Sequence, residues 1–155
     1  MTAERAEPTL SEAQAKVRTD HACIRGLLDE LAALAREHGA ETAEAPAARL
    51  TQVVWKLLLI FEEHMAMEER DLAPLFQRLD VWGTVQVRRM QEEHQQQRAT
   101  LRGMVDECDG KTKSPSAILH DVRWLVESFR RDMDHEEERF DAVRDDGFVV
   151  DQCTG

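Results

Sequence analysis

The chain has 155 residues, 42% of them hydrophobic, and a formal net charge of −11 at pH 7. That length suits one domain with a core large enough to fold without disulfides or a structural zinc. So acidic a surface argues against nucleic acid or anionic membranes as partners, since their phosphates would be repelled. The longest apolar run, Val53 to Phe61, contains Lys56 and is too short to span a bilayer, and Met1-Thr-Ala-Glu-Arg lacks the apolar core of a signal peptide. The expected location is the cytoplasm. Cys23, Cys108 and Cys153 are odd in number and widely spaced, so they read as ordinary thiols and not as a disulfide framework or a zinc site.

Glycine and proline are sparse (7 and 4), and the periodic stretches are rich in Ala, Leu, Glu, Gln and Arg, which predicts an all-α protein. The first helix is predicted from about Ser11, where Ser11 and Gln14 can form a capping box, to about Glu37. After the breakers from His38 to Pro46, the second runs roughly from Pro46 to Leu79. Pro74 should kink or end it one turn past Glu68-Glu69. Asp80-Val81-Trp82-Gly83 separates it from a third helix, roughly Gly83 to Glu107. The fourth begins at Ser114-Pro115, an N-cap followed by a proline at the first helical position. Short connections between long helices predict an up-down-up-down four-helix bundle, a single domain over residues 1–155 with its core at 11–144 and loose ends at 1–10 and 145–155.

One segment occurs twice: Phe61-Glu-Glu-His64-Met65-Ala-Met-Glu68-Glu69 and Phe129-Arg-Arg-Asp132-Met133-Asp-His135-Glu136-Glu137. A single offset matches Phe, Met, Glu and Glu together and places Asp132 where the first copy has His64. Side chains four apart on a helix share a face, so each copy projects two metal-capable groups side by side. Helical phase then decides which groups point inward. His21 falls in the stripe of Val17, Ile24, Leu28, Leu31 and Ala35, and His94 in that of Val87, Met90, Leu101 and Val105. His64 and Glu68 lie in the stripe of Val53, Leu57, Phe61 and Leu72. Glu136 lies in that of Val122, Leu125, Val126, Phe129, Met133 and Phe140, with Asp132 at its edge. His38 falls in a loop, and His120 and His135 face outward.

A single histidine on an apolar face is most simply a hydrogen-bonded core residue. Three imidazoles buried with Glu68, Glu136 and Asp132 would cost several kcal/mol per unpaired charge, a penalty a bound cation removes. The alternative without metal is Arg98, one turn beyond His94, paired with Glu68 or Glu136. Met65, Met67, Met90, Met104 and Met133 read as core filler and not as a copper box.

His21 in the first helix, His64-x-x-x-Glu68 with Glu69 and Pro74 in the second, His94 in the third and Met133-x-x-Glu136-Glu137 in the fourth resemble the hemerythrin-like, or HHE cation-binding, family. The resemblance covers about Thr19 to Val143 and implies two non-haem iron ions, oxo- or carboxylate-bridged, inside the bundle. Carried over residue by residue, it implies His21, His64, Glu68, His94 and Glu136 as ligands. Asp132 stands where the repeat calls for histidine, and Arg98 where oxygen-carrying members have a second histidine in the third helix. Fewer nitrogen donors and more carboxylates favour the ferric state, which argues against reversible oxygen carriage. The resulting expectation is iron handling or sensing, or reaction with oxygen, peroxide or nitric oxide as the small-molecule partner. A peroxidase or catalase-like di-iron enzyme and a metal-free structural bundle are the alternatives. His135 would replace Asp132 as ligand if the fourth helix carried a one-residue bulge.

Overall fold

The computed structural model describes residues 5–37, 45–79, 81–110 and 113–143. Its elements are α1 (Leu10–Glu37), α2 (Ala45–Met67), a π-helical turn (Glu68–Leu72), α3 (Ala73–Leu79), α4 (Val81–Gly110) and α5 (Pro115–Asp141). Side-chain pairs fix the helix directions. Asp20–His64 with Glu30–Arg49, Glu62–Arg102 with Glu69–Arg98, Glu93–Arg139 with Gln97–Asp132, and Arg25–Glu137 with Asp29–Arg130 each show one helix advancing as its neighbour recedes, so the neighbours run antiparallel. The result is the expected all-α, up-down-up-down four-helix bundle, with α2 through α3 forming its second rod. None of the described helices is long and apolar enough to cross a membrane.

The helix ends show why the chain breaks where it does. The capping box at the start of α1 is Thr9 with Glu12, not Ser11 with Gln14. Thr9 N–H donates to Glu12 Oε2 (2.8 Å) and Glu12 N–H donates to Thr9 Oγ1 (3.2 Å). Gln14 instead reaches across the bundle and donates to the carbonyl of Phe140 (2.7 Å), which also accepts from Val143 N–H at the end of α5. Ser114 caps α5 as expected: its hydroxyl accepts from Ala117 N–H, with Pro115 at the first helical position. The expected loop around His38 and the loose tail from Asp145 lie outside the described residues.

Pro74 neither ends the second rod nor stands at a simple kink. A proline has no N–H to give the carbonyl four residues back, here Arg70, and its ring crowds that carbonyl. The backbone meets this by widening one turn just before it, where the Ala73 N–H bonds to Glu68 O, five residues back. The helix then resumes to Leu79. The widened turn is also the segment that carries Glu68, Glu69 and the fully buried Leu72.

Two apolar clusters fill the bundle. One contains Ile24, Leu28, Leu57, Phe61, Leu101, Leu125 and Phe129, with the Phe61 and Phe129 rings 4.9 Å apart. The other contains Leu10, Val17, Leu72, Phe76, Val87 and Phe140. Between them in sequence lies a set of buried polar side chains: His21, His64, Glu68, His94 and Glu136. At the second cluster's edge α3 and α4 touch backbone to backbone at Gly83, where an added Cβ would stand 1.7 Å from the Phe76 carbonyl oxygen. Gly83→Ala must therefore push two helices apart. It should destabilise the protein by about 1–3 kcal/mol in a denaturant titration, the usual cost of overpacking.

Candidate metal centre

Helical phase delivers five of the buried polar groups to one level of the bundle. His21 comes from α1, His64 from α2, Glu68 from the π turn, His94 from α4 and Glu136 from α5, and all five are buried. One ligand atom from each of His21, His64, Glu68 and Glu136 lies within 4.8 Å of every other. His94 joins through Glu68, its Nε2 standing 2.9 Å from Glu68 Oε2. Asp132 does not converge with them; half-buried, it accepts a hydrogen bond from Gln97 Nε2 at 3.4 Å. His120 and His135 are exposed, and α5 runs through without a bulge.

Glu68 turns its two oxygens to different histidines. Its Oε1 faces one side, 2.8 Å from His64 Nε2, and its Oε2 faces the other, toward His94. Oε1 makes no hydrogen bond despite that short approach. An imidazole nitrogen and a carboxylate oxygen held this close are placed as two ligands of one cation would be, once the imidazole has given up its proton. His21 Nε2 completes the approach from α1, 3.1 Å from Glu136 Oε1. This residue set fits a buried cation held by imidazole and carboxylate.

Outer carboxylates orient the imidazoles. His64 Nδ1 pairs with Asp20 Oδ2 (3.1 Å), His94 Nδ1 with Glu69 Oε1 (2.8 Å), and His21 Nδ1 lies 3.3 Å from Glu137 Oε1. Each arrangement leaves Nε2 turned inward. Arginines anchor two of these carboxylates: Arg25 grips both oxygens of Glu137 (3.1 and 2.6 Å) and Arg98 those of Glu69 (3.1 and 3.3 Å). Arg98 thus pairs with Glu69, not with Glu68 or Glu136, and leaves the inner carboxylates to the histidines.

The charges are strongly perturbed. Burial opposes protonation of His64, but its hydrogen bond to Asp20 and the nearby Glu136 and Glu68 carboxylates outweigh it and raise its pKa to about 11. Burial and the neighbouring Glu136 charge raise the Glu68 carboxyl. Burial acts the same way on Glu136, yet the Glu68, His21 and His64 contacts hold it well below the usual carboxylate range. Without metal, protons balance the buried carboxylates; a dication would replace them.

Reading the sequence by repeat and phase placed Glu69 and Glu137 in the repeated segment without a role, and passed over Asp20, Arg25 and Arg139. A second repeat carried the signal: Asp20-His21-x-x-x-Arg25-x-x-Leu28 returns as Glu93-His94-x-x-x-Arg98-x-x-Leu101. The helix pairs α1–α2 and α4–α5 are thus two copies of one pattern, each giving a histidine whose arginine one turn on clamps the outer carboxylate.

A four-helix bundle with histidines and carboxylates buried together at one level defines a protein with a metal-capable centre of the imidazole–carboxylate kind. The chain belongs to the hemerythrin family: the hemerythrin HHE cation binding domain model matches residues 13–141. No curated protein and no solved structure matches it.

Proposed function

We propose that the protein binds two iron ions at this centre and uses them in the handling or sensing of oxygen, peroxide, nitric oxide or iron. The observation that carries this reading is Glu68, fully buried, with one oxygen turned to His64 and the other to His94. A carboxylate so placed can join two cations. His21, His64, Glu68 and Glu136 would hold the first, and Glu68, His94 and Asp132 the second. Iron bound there would supply redox chemistry toward a small oxidant or diatomic ligand. The protein's own contribution is a water-poor layer between two apolar clusters and outer carboxylates that keep each Nε2 facing inward. The free thiols Cys23 and Cys108 are consistent with a cytoplasmic setting, which is part of the proposal.

The test is to load metal-free protein anaerobically with Fe(II) and then admit oxygen, hydrogen peroxide or nitric oxide in separate experiments. The expected result is a near-ultraviolet absorption band that develops with at least one of the three. Loaded protein that stays spectrally silent to all of them would contradict the small-molecule role.

A further inference from the structure

The two helix pairs repeat one another's contacts around the centre, and the repeat fails at one position. His21 with Glu136, Glu137 and Arg25 is matched by His94 with Glu68, Glu69 and Arg98. In the first pair, α2 adds His64, oriented by Asp20, the residue before His21. In the second, α5 offers Asp132, and the residue before His94 is Glu93. Two carboxylates cannot pair as Asp20 and His64 do. Glu93 is instead held by the Arg139 guanidinium, with both contacts at 2.9 Å, and Asp132 turns to Gln97.

Resting on the metal-binding reading above, we propose that the two positions are unequal: a cation at His21, His64, Glu68 and Glu136 binds first and firmly, and one at Glu68 and His94 binds second and exchangeably. Three features of the structure lead there. Four buried ligand atoms already converge on the first position. At the second, Glu68 Oε2 and His94 Nε2 are in place, and a further ligand from Asp132 must first give up its hydrogen bond to Gln97. Arg139, half-buried beside this half of the site, interacts electrostatically with Glu136 and Glu68 and so offsets part of the negative charge that would hold a second dication. The functional consequence is a gate. When metal is scarce the protein carries one cation, and chemistry that needs two waits for the second to arrive.

Anaerobic calorimetric titration of metal-free protein with Co(II) tests this. Wild type should show two classes of one equivalent each, with dissociation constants at least about tenfold apart. Asp132→His should narrow that gap by tightening the weaker class, and His94→Ala should remove the weaker class while leaving the tighter one. Circular dichroism checks that each variant is folded, and His94→Gln is the substitute if His94→Ala is not. Two equivalents of equal affinity would overturn the proposal, as would a His94 variant that weakens both classes alike. No Co(II) binding by wild type would overturn the metal-binding reading as well, which distinguishes the two failures.

Discussion

Replacing Glu68 with alanine is expected to remove metal from both positions, lowering affinity by more than about 100-fold, since even outer partners of metal ligands are worth about 10- to 100-fold. Among the described residues, Glu68 presents one oxygen to His64 and the other to His94, on different helices. His64→Ala should also lower metal content steeply, because it deletes a converging nitrogen and the hydrogen-bond partner of Asp20. His120→Ala, at an exposed position on α5, should leave it unchanged. Glu68→Gln guards against misfolding as the cause: it preserves the shape while removing the anionic oxygen. If Glu68→Gln and His120→Ala retain equal iron by mass spectrometry of the folded protein, Glu68 is not a ligand.

The second large effect is one of pH, and its sign follows from His64. Its pKa in the folded protein is about 11 against an ordinary value of 6.5, so the metal-free fold binds a proton that the unfolded chain releases between those values. The stabilisation is complete below pH 6.5 and is lost as pH rises from there through about 11. Glu68, also raised, works in the same direction at lower pH. Glu136, lowered, does the opposite: its contribution is present above its ordinary value of 4.5 and lost as pH falls through the depressed one. Metal competes with the His64 proton, so apparent affinity should climb with pH by about tenfold per unit for each proton displaced. Thermal unfolding of the metal-free protein should therefore fall in midpoint from neutral to alkaline pH, and the fall should be smaller in His64→Ala. Metal-loaded protein should not show the His64 part of the decline. An affinity independent of pH between 6.5 and 9 would mean that His64 is not protonated in the metal-free site.

What could be read in the sequence was what depends on spacing alone. Phase on a helix is geometry, so His21, His64, Glu68, His94 and Glu136 could be placed inward from their neighbours, and the structure buries all five. Breakers and caps located the helices to within a few residues, and Ser114-Pro115 marked the start of α5 to the residue. The rest depends on tertiary partners. Thr9 caps α1 with Glu12, while Gln14, the partner expected for Ser11, is bonded to the end of α5, a contact across more than a hundred residues. Pro74 signals a missing N–H, but whether the chain answers with a break, a bend or a wider turn depends on what packs around it. Arg98 was visible one turn from His94, yet its choice of Glu69 over Glu68 turns on which carboxylate the π turn aims outward. Asp132 sits where the repeat has a histidine, and its attachment to Gln97 could not be foreseen without knowing that Arg139 occupies Glu93.

The central claim, that this buried layer is an iron centre, is tested most directly by counting metal. Protein stripped with chelator, reconstituted anaerobically with Fe(II), freed of excess metal and analysed by mass spectrometry should carry about two irons per chain at saturating metal and about one when iron is limiting. A folded protein that emerges with no iron would contradict the account, leaving the histidines and glutamates as a purely proton-balanced core.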